Sequence, residues 1–394
     1  MTTTPDLTDI RWLVGDEAAA VLADLAASPA PLHTVAAQLR RTHSAERTGL
    51  LLEQLELRER GTAKFSRAER MYFTRVGLQQ ATDEWVAGYK ASRFAGLPAV
   101  ADVCCGVGGD LVALSAVSNA TGIDSCPIVS VLAAANLRAY EGAGDCIRTE
   151  SASAASVREL DAWHADPDRR AAGWRTTQLA FHSPDAATLD AMLHAQPNAA
   201  VKLAPAAEAP DAWAESCEQQ WLSRRGECRQ LCVWFGALSQ SPGLRRATRL
   251  GDDGQICGDF IGRVGAPERV AQSLGGFLYE PNPSVLAAKL TDDLADTLGL
   301  LRVSRGVGYL AGEEPVEHPL VSGFRIDDTL PLKPKTIAGY LRERGVGRLE
   351  IKHRGVPLEP DRLRKQLKLS GTAEATLIAF PHAGRNVAAV ATRL

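Results

Sequence analysis

A glycine-rich segment near residue 100 carries the residues best suited to chemistry in this sequence. It reads Asp102-Val-Cys-Cys-Gly-Val-Gly-Gly-Asp110 and lies between two short apolar runs of strand type, with helical apolar spacing after the glycines. Gly106 and Gly108 tolerate backbone angles that residues with a Cβ avoid, so a ligand can approach the main chain closely. Asp124, at the end of the second strand, is placed to accept hydrogen bonds from a ribose diol. The pattern predicts a strand, turn, helix, strand unit that binds a nucleoside cofactor.

Two cofactors fit such a unit, a dinucleotide and S-adenosylmethionine. The dinucleotide fingerprint has a third glycine where this chain has Leu111. Asp110 would also place a negative charge where the helix start has to receive a pyrophosphate. The sulfonium and ammonium groups of S-adenosylmethionine instead favour nearby acids such as Asp102 and Asp110. S-adenosylmethionine is therefore the predicted cofactor, and a glycine-rich turn without a ligand is the alternative.

Two further motifs accompany the glycine-rich segment. They are Thr82-Asp-Glu-Trp-Val-Ala87 before it and Asn136-Leu-Arg-Ala-Tyr140 after it. In this order the three motifs resemble class I methyltransferases, and they are similar to the trimethylguanosine-synthase branch of the RNA guanine-N2 methyltransferases. The resemblance implies that Thr82 contacts the methionine carboxylate, the 104–109 loop contacts methionine and ribose, and Asp124 contacts the ribose hydroxyls. The predicted cofactor-binding residues are Thr82, Asp102, Cys104, Gly106, Gly108, Gly109 and Asp124.

A second polar segment, Asp166-Pro-Asp-Arg-Arg170, follows a predicted fourth strand. Ligands of open α/β sheets bind at the carboxyl ends of the strands, so a methyl acceptor would approach here. The resemblance implies an amine-orienting motif with two prolines and an aromatic residue, but Asp168 and Arg169 replace the second proline and the aromatic. Asp166 could orient or deprotonate the acceptor and Arg169 or Arg170 could hold a phosphate, whereas ion pairs within the segment are the alternative. The predicted catalytic residues are Asp166, Pro167, Asp168 and Arg169.

Three other side chains near these segments each allow a structural and a functional interpretation. Lys202 interrupts an apolar strand, so it either extends out of the core or reaches the acceptor site. Trp174 either packs or stacks a base. His164 is expected to be a satisfied core residue rather than a base. The eight cysteines and eight histidines show no zinc-type spacing, so we predict no metal.

The overall composition is typical of a globular protein. Of the 394 residues, 45% are hydrophobic and 23% are charged, and this length suggests two or three domains. No apolar run approaches the roughly 20 residues of a membrane span, and the N-terminus lacks the regions of a signal peptide. We therefore expect a cytoplasmic protein without membrane contact. The sequence leaves the oligomeric state open.

The charge distribution indicates a polyanionic partner for the C-terminal part of the chain. The net charge is −3, but residues 331–394 contain thirteen Lys and Arg against five Asp and Glu. Thirteen minus five gives +8, which leaves −11 for the remaining residues and suggests a basic module on an acidic body. We predict RNA as the partner, with a merely solvated basic face as the alternative. The predicted RNA-contacting residues are Lys352, Arg354, Arg362, Arg364, Lys365 and Lys368.

The last module also has a recognisable order of elements. Its strand, helix, strand, helix, strand, strand pattern resembles the THUMP-like domain of some bacterial methyltransferases, and true THUMP domains bind RNA. The predicted domains are an N-terminal helical domain (1–75), an S-adenosylmethionine-dependent methyltransferase domain (76–275), a linker and a helix capped by Ser284 (276–322), and a THUMP-like domain (323–394). The predicted fold class is α/β, a class I methyltransferase Rossmann-like sheet with an N-terminal helical domain and a small C-terminal α/β THUMP-like domain.

These observations predict an S-adenosylmethionine-dependent methyltransferase that modifies RNA, with an rRNA or tRNA base as the expected acceptor. Two alternatives stay open. One is a methyltransferase that acts on a small molecule, in which the basic module is incidental. The other is a non-catalytic RNA-binding protein that keeps the cofactor fold. The sequence names neither the acceptor base nor the atom.

Overall fold

The computed structural model describes residues 6–28, 31–170, 173–174 and 176–394, which form two compact units. Unit 1 takes the described residues up to 218 together with 231–242 and 252–255, and unit 2 takes 219–230, 243–251 and 256–394. The helices are α1 Leu7–Leu13, α2 Asp16–Ala27, α3 Leu32–Leu39, α4 Ala45–Gly61, α5 Arg75–Gln80, α6 Glu84–Ala91, α7 Gly109–Ser115, α8 Pro127–Ala139, α9 Ala154–Val157, α10 Ala186–Ala195, α11 Pro283–Ala287, α12 Thr291–Leu298, α13 Pro334–Glu343 and α14 Pro360–Leu367. The strands are β1 Ala99–Val103, β2 Asn119–Asp124, β3 Ile147–Thr149, β4 Ala162–Ala165, β5 Ala199–Leu203, β6 Glu218–Arg224, β7 Glu227–Phe235, β8 Arg245–Leu250, β9 Ile256–Gly262, β10 Phe277–Pro281, β11 Leu301–Arg302, β12 Leu310–Gly312, β13 Val321–Pro331, β14 Val346–His353, β15 Ala373–His382 and β16 Arg385–Arg393.

A largely parallel sheet forms the centre of unit 1, in the order β3-β2-β1-β4-β5-β7. β1 pairs in parallel with β2 and β4, β2 with β3, and β4 with β5, whereas β5 and β7 run antiparallel. The strands β1, β4 and β5 are short apolar runs, interrupted only by Asp102, His164 and Lys202 respectively, because helices cover both faces of such a sheet. Since the strands are parallel, the carboxyl ends of β1, β2 and β4 meet at one edge, where ligands of open sheets bind.

The N-terminal helices α1, α2 and α4 share a hydrophobic cluster with α8. Ile10, Leu13 and Leu51 belong to the same cluster as Leu132 and Ala135 of α8. The helical character predicted for the first 75 residues is therefore present in their described part, but its core is shared with a helix that covers the sheet. The domain boundary predicted at residue 75 stays a prediction.

A seven-stranded sheet forms most of unit 2, in the order β11-β12-β10-β13-β16-β15-β14. The predicted six-element order of the last module is confirmed as β13, α13, β14, α14, β15 and β16. Helices α13 and α14 pack with β14 and β15 through one cluster that includes Ile337, Leu349, Leu363 and Leu377. In addition, β8 pairs in parallel with β6 and antiparallel with β9.

Residues 277–283 are not the linker that their two prolines, Pro281 and Pro283, predict. They contain β10, which pairs with β12 on one side and with β13 on the other. Leu278 and Tyr279 within it are fully buried. Pro281 ends the strand and Pro283 begins α11, and both are positions where a missing N–H is tolerated. The prolines therefore mark the ends of elements rather than a break between domains.

The single helix predicted after this segment is two helices, α11 and α12. Lys289 lies between them with a left-handed backbone (φ 59°), which ends the first helix. The cap is also different from the prediction. Asn282 caps α11, because its Oδ1 accepts a hydrogen bond from the Ser284 N–H at 3.0 Å.

The described part of the chain has neither a membrane-spanning helix nor a metal-ligand cluster. No helix in it is long and apolar enough to cross a membrane. Within the same residues, no group of three or more His, Cys, Asp and Glu side chains is arranged to hold a metal ion.

Candidate active site

A cavity of about 310 Å³ lies at the carboxyl ends of β1 and β2 in unit 1. Its polar lining comes from the ends of β1, β2 and β3 and from the segment before α10. The lining includes Cys104, Asp124, Ser125, Glu150, His182, Ser183 and Asp185. The predicted site residues include Cys104 and Asp124 but not Glu150, His182 or Asp185, which come from three separate segments of the chain.

The glycine-rich turn forms the floor between β1 and α7. Gly106 has φ 56°, and a Cβ built there would meet no atom within 4 Å, so its main chain faces open space. Gly108 caps α7 with φ 87°. Cys104 adopts φ 58°, a region that residues with a Cβ rarely occupy, and such strain concentrates at functional sites. Burial, with Asp124 nearby, raises the pKa of Cys104, so its thiol stays protonated and is a poor nucleophile.

Asp124 fixes the turn and still has capacity for a ligand. Its Oδ2 accepts a hydrogen bond from the Gly106 N–H at 3.1 Å, and its Oδ1 accepts one from the Cys126 N–H at 2.9 Å. A carboxylate has about four lone-pair sites, so about two remain for other donors. Asp124 is thus placed both to hold the glycine turn and to accept from hydroxyl groups in the cavity.

A buried chain of polar side chains lies beneath the turn and joins four elements. Lys90 of α6 is 2% exposed, and its Nζ lies 2.6 Å from Asp110 Oδ1 and 3.0 Å from His164 Nε2. His164 Nδ1 lies 2.7 Å from Asp102 Oδ1, and Thr82 Oγ1 donates to Asp110 Oδ2 at 2.7 Å. Because an ammonium can only donate, Nε2 of His164 accepts and its Nδ1–H donates to Asp102.

The pKa values of Asp102 and Asp110, the two acids among these buried side chains, are shifted in opposite directions. Burial raises the pKa of Asp102, although His164 opposes the change. Burial would also raise the pKa of Asp110, but the positive charge of Lys90, together with His164 and Lys202, outweighs it and lowers that pKa. Asp102 and Asp110 therefore bind partners inside the protein, and neither lines the cavity. The roles of Asp102 and Thr82 toward the cofactor stay predictions.

The other two motifs also brace the turn. Asn136 is fully buried, and its Nδ2 donates to the carbonyls of Tyr72 and Val107, each at 2.8 Å. Tyr140 donates its hydroxyl to Glu84 Oε2 at 2.8 Å. Val107 belongs to the glycine turn and Glu84 to the first motif, so the three motifs interlock around one loop.

The predicted acceptor segment lies at the carboxyl end of β4. Asp166 is paired with Lys202, whose Nζ is 2.5 Å from Asp166 Oδ2 and 3.2 Å from the Gln80 carbonyl. Lys202 thus reaches the acceptor segment, the second of its two predicted positions. Burial would lower the pKa of Lys202, but Asp166 and Asp110 outweigh it and raise the pKa, so the ammonium stays charged. The ion-pair partner of Asp166 is therefore Lys202 rather than an arginine of its own segment.

The residues that follow Asp166 differ in their exposure to solvent. Pro167 is buried, whereas Asp168 is exposed and its Oδ1 accepts from Gln80 Nε2 at 3.2 Å and from the Arg170 N–H at 3.0 Å. The Arg169 carbonyl accepts a hydrogen bond from the Thr176 N–H at 3.1 Å. These contacts order the segment without covering Asp166, whose side chain is 31% exposed.

An aromatic pair is exposed on the loop after this segment. Trp174 is 59% exposed and Phe181 is 45% exposed, with ring centroids 6.0 Å apart. Packing inside the protein, one of the two interpretations of Trp174, is therefore not observed. By contrast, His164 is buried with both ring nitrogens partnered, as predicted.

The predicted RNA-contacting residues of unit 2 fall into two groups. Lys352 lies 2.8 Å from Glu280 Oε2, Arg354 lies 3.3 Å from Glu280 Oε1, and Arg364 lies 3.3 Å from Asp361. The members of the second group are exposed on or directly after α14, and none of them has an ion-pair partner among the residues that the structure describes. This second group, here called the α14 surface, is Arg362, Lys365 and Lys368.

Two family models match parts of the chain. Residues 321–393 match the model described as "THUMP domain-like", which confirms the predicted THUMP-like domain. Residues 6–61 match a model described as a domain of unknown function, DUF8688, which covers the N-terminal helices.

The chain is similar over most of its length to proteins named as methyltransferases. Two uncharacterised S-adenosylmethionine-dependent methyltransferases of Mycobacterium tuberculosis, from strains CDC 1551 and H37Rv, are each 28% identical over 348 residues, which is 86% of this chain and 94% of theirs. A proposed methyltransferase from Porphyromonas gingivalis W83 has a crystal structure that superimposes with a TM-score of 0.77 at 20% identity, covering 96% of this chain and 98% of that one. The chain therefore has a methyltransferase fold with a C-terminal THUMP-like domain, which confirms the predicted fold class. The narrower resemblance to the trimethylguanosine-synthase branch stays a prediction.

Proposed function

We propose that this protein transfers a methyl group from S-adenosylmethionine to RNA, with a base of rRNA or tRNA as the acceptor. The observation that carries the proposal is the cavity of about 310 Å³ between the glycine turn and Asp124. Small-ligand sites typically enclose roughly 300–1,000 Å³, so the volume suits a nucleoside cofactor. The methyltransferase names of the curated relatives support the same reaction class.

The residues present fit the cofactor on structural grounds. Asp124 has lone pairs left for a ribose diol, and the open space at Gly106 admits a ligand against the main chain. When bound, S-adenosylmethionine supplies an electrophilic methyl group on its sulfonium.

The chain's own contribution to the reaction is positioning. Asp166 lies at the carboxyl end of β4, and the ammonium of Lys202 holds one of its oxygens. Its other oxygen is available to accept a hydrogen bond from the attacking amine or hydroxyl of the acceptor and then its proton. Methyl transfer by displacement needs mainly an aligned nucleophile, so positioning the acceptor contributes most of the rate enhancement.

Two surfaces support RNA as the acceptor. The α14 surface presents exposed cations on a domain that matches the THUMP-like model, and such cations bind phosphates. In unit 1, the exposed pair of Trp174 and Phe181 follows the acceptor segment. Aromatic side chains of this kind stack single-stranded bases, with roughly 1–3 kcal/mol for each stacked base.

The decisive experiment is tritium transfer from labelled S-adenosylmethionine into total RNA, beside a metabolite extract and a reaction without substrate. We expect label in the RNA fraction only. Label in the metabolite fraction would favour a small-molecule methyltransferase. No transfer, with intact RNA binding, would favour a non-catalytic RNA-binding protein, for which the replaced second proline and aromatic of the acceptor segment are the supporting observation. Comparing nucleosides from cells with and without the gene would name the acceptor atom.

Asp124→Ala is expected to weaken S-adenosylmethionine binding by about 2 kcal/mol, or roughly 30-fold. The substitution removes the acceptor for the ribose hydroxyls and also releases the Gly106 N–H. Isothermal titration calorimetry of both proteins measures the change without any turnover. Asp145→Ala is the matched control, since Asp145 is exposed and does not line the cavity. Equal affinities of the Asp124 variant and the unchanged protein would rule out this cofactor site.

The α14 surface predicts a salt effect on RNA binding. Arg362→Gln with Lys365→Gln should lower the slope of log affinity against log salt by roughly 0.7 to 0.9 for each lost phosphate contact. Anisotropy titrations of a labelled RNA at several salt concentrations measure the slope. Arg348→Gln with Lys352→Gln removes the same charge from residues already paired with Glu374 and Glu280, so it should change the slope little. If both pairs of substitutions act alike, α14 has no special role.

A further inference from the structure

Two lysine side chains hold the C-terminal end of α5 in unit 1. The last four carbonyls of an α-helix have no partner within the helix, so they need donors from elsewhere. Lys202 of β5 donates to the carbonyl of Gln80 at 3.2 Å. Lys64, three residues after the end of α4, donates through its Nζ to the carbonyls of Leu78, Gln79 and Ala81 at 2.8, 3.1 and 2.7 Å. Two ammonium groups that are far apart in the sequence thus bind four consecutive carbonyls.

The side chains at the same end of α5 contact the acceptor segment. Gln80 Nε2 donates to Asp168 Oδ1 at 3.2 Å. Gln79 Oε1 accepts from Arg170 Nη2 at 3.0 Å. The partners in these two bonds are 88 and 91 positions apart in the chain, so the contacts depend on where the end of α5 lies. A frayed helix end would withdraw both glutamines from the acceptor segment.

Lys202 links this helix end to the proposed acceptor residue. Its ammonium lies 3.2 Å from the Gln80 carbonyl and 2.5 Å from Asp166 Oδ2. The ammonium is therefore shared between one main-chain carbonyl and one carboxylate oxygen. If the carbonyl moved away, the ammonium would lose one of these two acceptors, and the orientation of Asp166 would be less well fixed.

The residue that follows this helix end is anchored in a different way. Thr82 Oγ1 donates to Asp110 Oδ2 at 2.7 Å. A Cβ built on Gly109 would lie 3.0 Å from the Thr82 carbonyl, so this main chain packs directly against the first residue of α7. The start of α7, beside the glycine turn, is thus held by contacts that do not include Lys64. Loss of Lys64 should loosen the acceptor side and leave the cofactor side in place.

We propose that Lys64 is a positioning residue for the acceptor segment. By binding the carbonyls on both sides of Gln80, its ammonium keeps the Gln80 carbonyl within reach of Lys202. The same contacts keep the two glutamine side chains against the acceptor segment. An ammonium suits this position because it has three donors. The effect on catalysis rests on the methyl transfer proposed above, whereas the coupling between Lys64 and the acceptor segment does not.

Hydrogen exchange on the full chain tests the coupling without any turnover. In Lys64→Met we expect exchange that is faster by about tenfold or more at residues 78–81 and also at 168–170, because the helix end and the segment that it contacts open more often. Residues 105–112, which include the glycine turn, should exchange as before. Arg67→Met is the matched control. Arg67 lies in the same connection between α4 and α5, and its Nη1 donates to the Ala139 carbonyl at the end of α8 at 2.9 Å, so its loss should leave both segments unchanged.

Initial rates of tritium transfer measure the consequence for the proposed reaction. Lys64→Met should lower the rate by about tenfold, because a small misplacement of positioning groups is costly, while S-adenosylmethionine affinity stays within about twofold. Lys64→Arg keeps a cation that can donate to carbonyls, so its rate should stay within about threefold of that of the unchanged protein. In a Lys202→Met background the Lys64→Met change should have little further effect, because both residues act through the Lys202 ammonium.

The possible outcomes distinguish this proposal from the proposed function. Faster exchange at 168–170 in Lys64→Met but not in Arg67→Met supports it, with or without methyl transfer. Unchanged exchange at 168–170, an unchanged rate, or a rate loss that simply adds to that of Lys202→Met overturns it, because Lys64 would then support the fold alone. Absence of methyl transfer by the unchanged protein counts only against the proposed function. Circular dichroism checks folding, and Lys64→Gln, whose amide can still donate, replaces a Lys64→Met protein that does not fold.

Discussion

Lys90→Met is expected to lower the free energy of unfolding by about 3–5 kcal/mol. Lys90 is 2% exposed, its ammonium lies 2.6 Å from Asp110 Oδ1, and it also donates to His164. Removing it leaves a buried carboxylate without its counter-ion, which costs far more than the loss of one surface pair. Urea unfolding at pH 7 measures the difference. The exposed Lys335→Met is the matched control and should change stability by less than about 0.5 kcal/mol.

The pH dependence of this loss has a definite sign. The lowered pKa of Asp110 means that its contribution is present above the ordinary pKa of an aspartate and is lost as the pH falls below it. In the variant, burial without Lys90 raises that pKa, so Asp110 becomes protonated and neutral at a higher pH. The difference between the two proteins should therefore narrow as the pH falls from 7 toward 4. A constant difference would mean that Lys90 acts through packing and not through its charge.

A second substitution separates charge from volume. Asp110→Asn added to Lys90→Met removes the uncompensated carboxylate, so the double variant should recover part of the lost stability. The two residues are in contact, so their effects should not add. Strict additivity would contradict the buried pair as the cause.

The glycine-rich segment shows why part of the site could be predicted from the sequence. A tight turn between a strand and a helix needs residues that tolerate left-handed backbone angles. Gly106 and Gly108 both adopt these angles, which favour glycine. The position of Asp124 at the end of β2 could be predicted because a short run of strand type ends at this residue. These features are local in the chain, so a one-dimensional pattern contains them.

The contacts that decide the roles of side chains are not local. The motif acids Asp102 and Asp110 were expected to favour a cationic cofactor, yet Lys90 and His164 from two other elements partner them. Lys352 and Arg354 were expected to face RNA, yet Glu280, more than seventy positions earlier, pairs with both. Alternation along a strand predicts which residues share a face, but it does not show which charges arrive from distant strands.

The prediction of a linker around Pro281 was wrong for a related reason. Two prolines within three residues are typical of a linker, and only the pairing of β10 with β12 and β13 shows that they bound a strand. This pairing also affects experimental design. Because β13 begins at Val321, removing residues 323–394 would leave β10 without one of its neighbours. Point substitutions on α14 are therefore a cleaner test of RNA binding than truncation.

Asp166→Asn is expected to reduce the rate of methyl transfer by about 10²-fold or more, the usual scale for loss of a positioned general base. The amide keeps the shape and one acceptor oxygen but cannot take a proton, and it no longer forms an ion pair with Lys202. Asp166 does not line the cofactor cavity, so S-adenosylmethionine affinity should change by less than about threefold. Initial rates of tritium transfer into total RNA, together with calorimetry of the cofactor, measure the two quantities separately.

Asp168→Asn is the control that isolates position from charge. Asp168 lies two residues away and is exposed, and it accepts from Gln80 and from the Arg170 main chain rather than from a lysine. An amide oxygen can keep those contacts, so its rate should fall by less than about tenfold. Lys202→Met should lie between the two, because it leaves Asp166 in place but removes the ammonium that holds it. If the Asp166 variant keeps more than half of the initial rate, the acceptor is positioned by other groups, and the exposed pair of Trp174 and Phe181 becomes the first place to look for them.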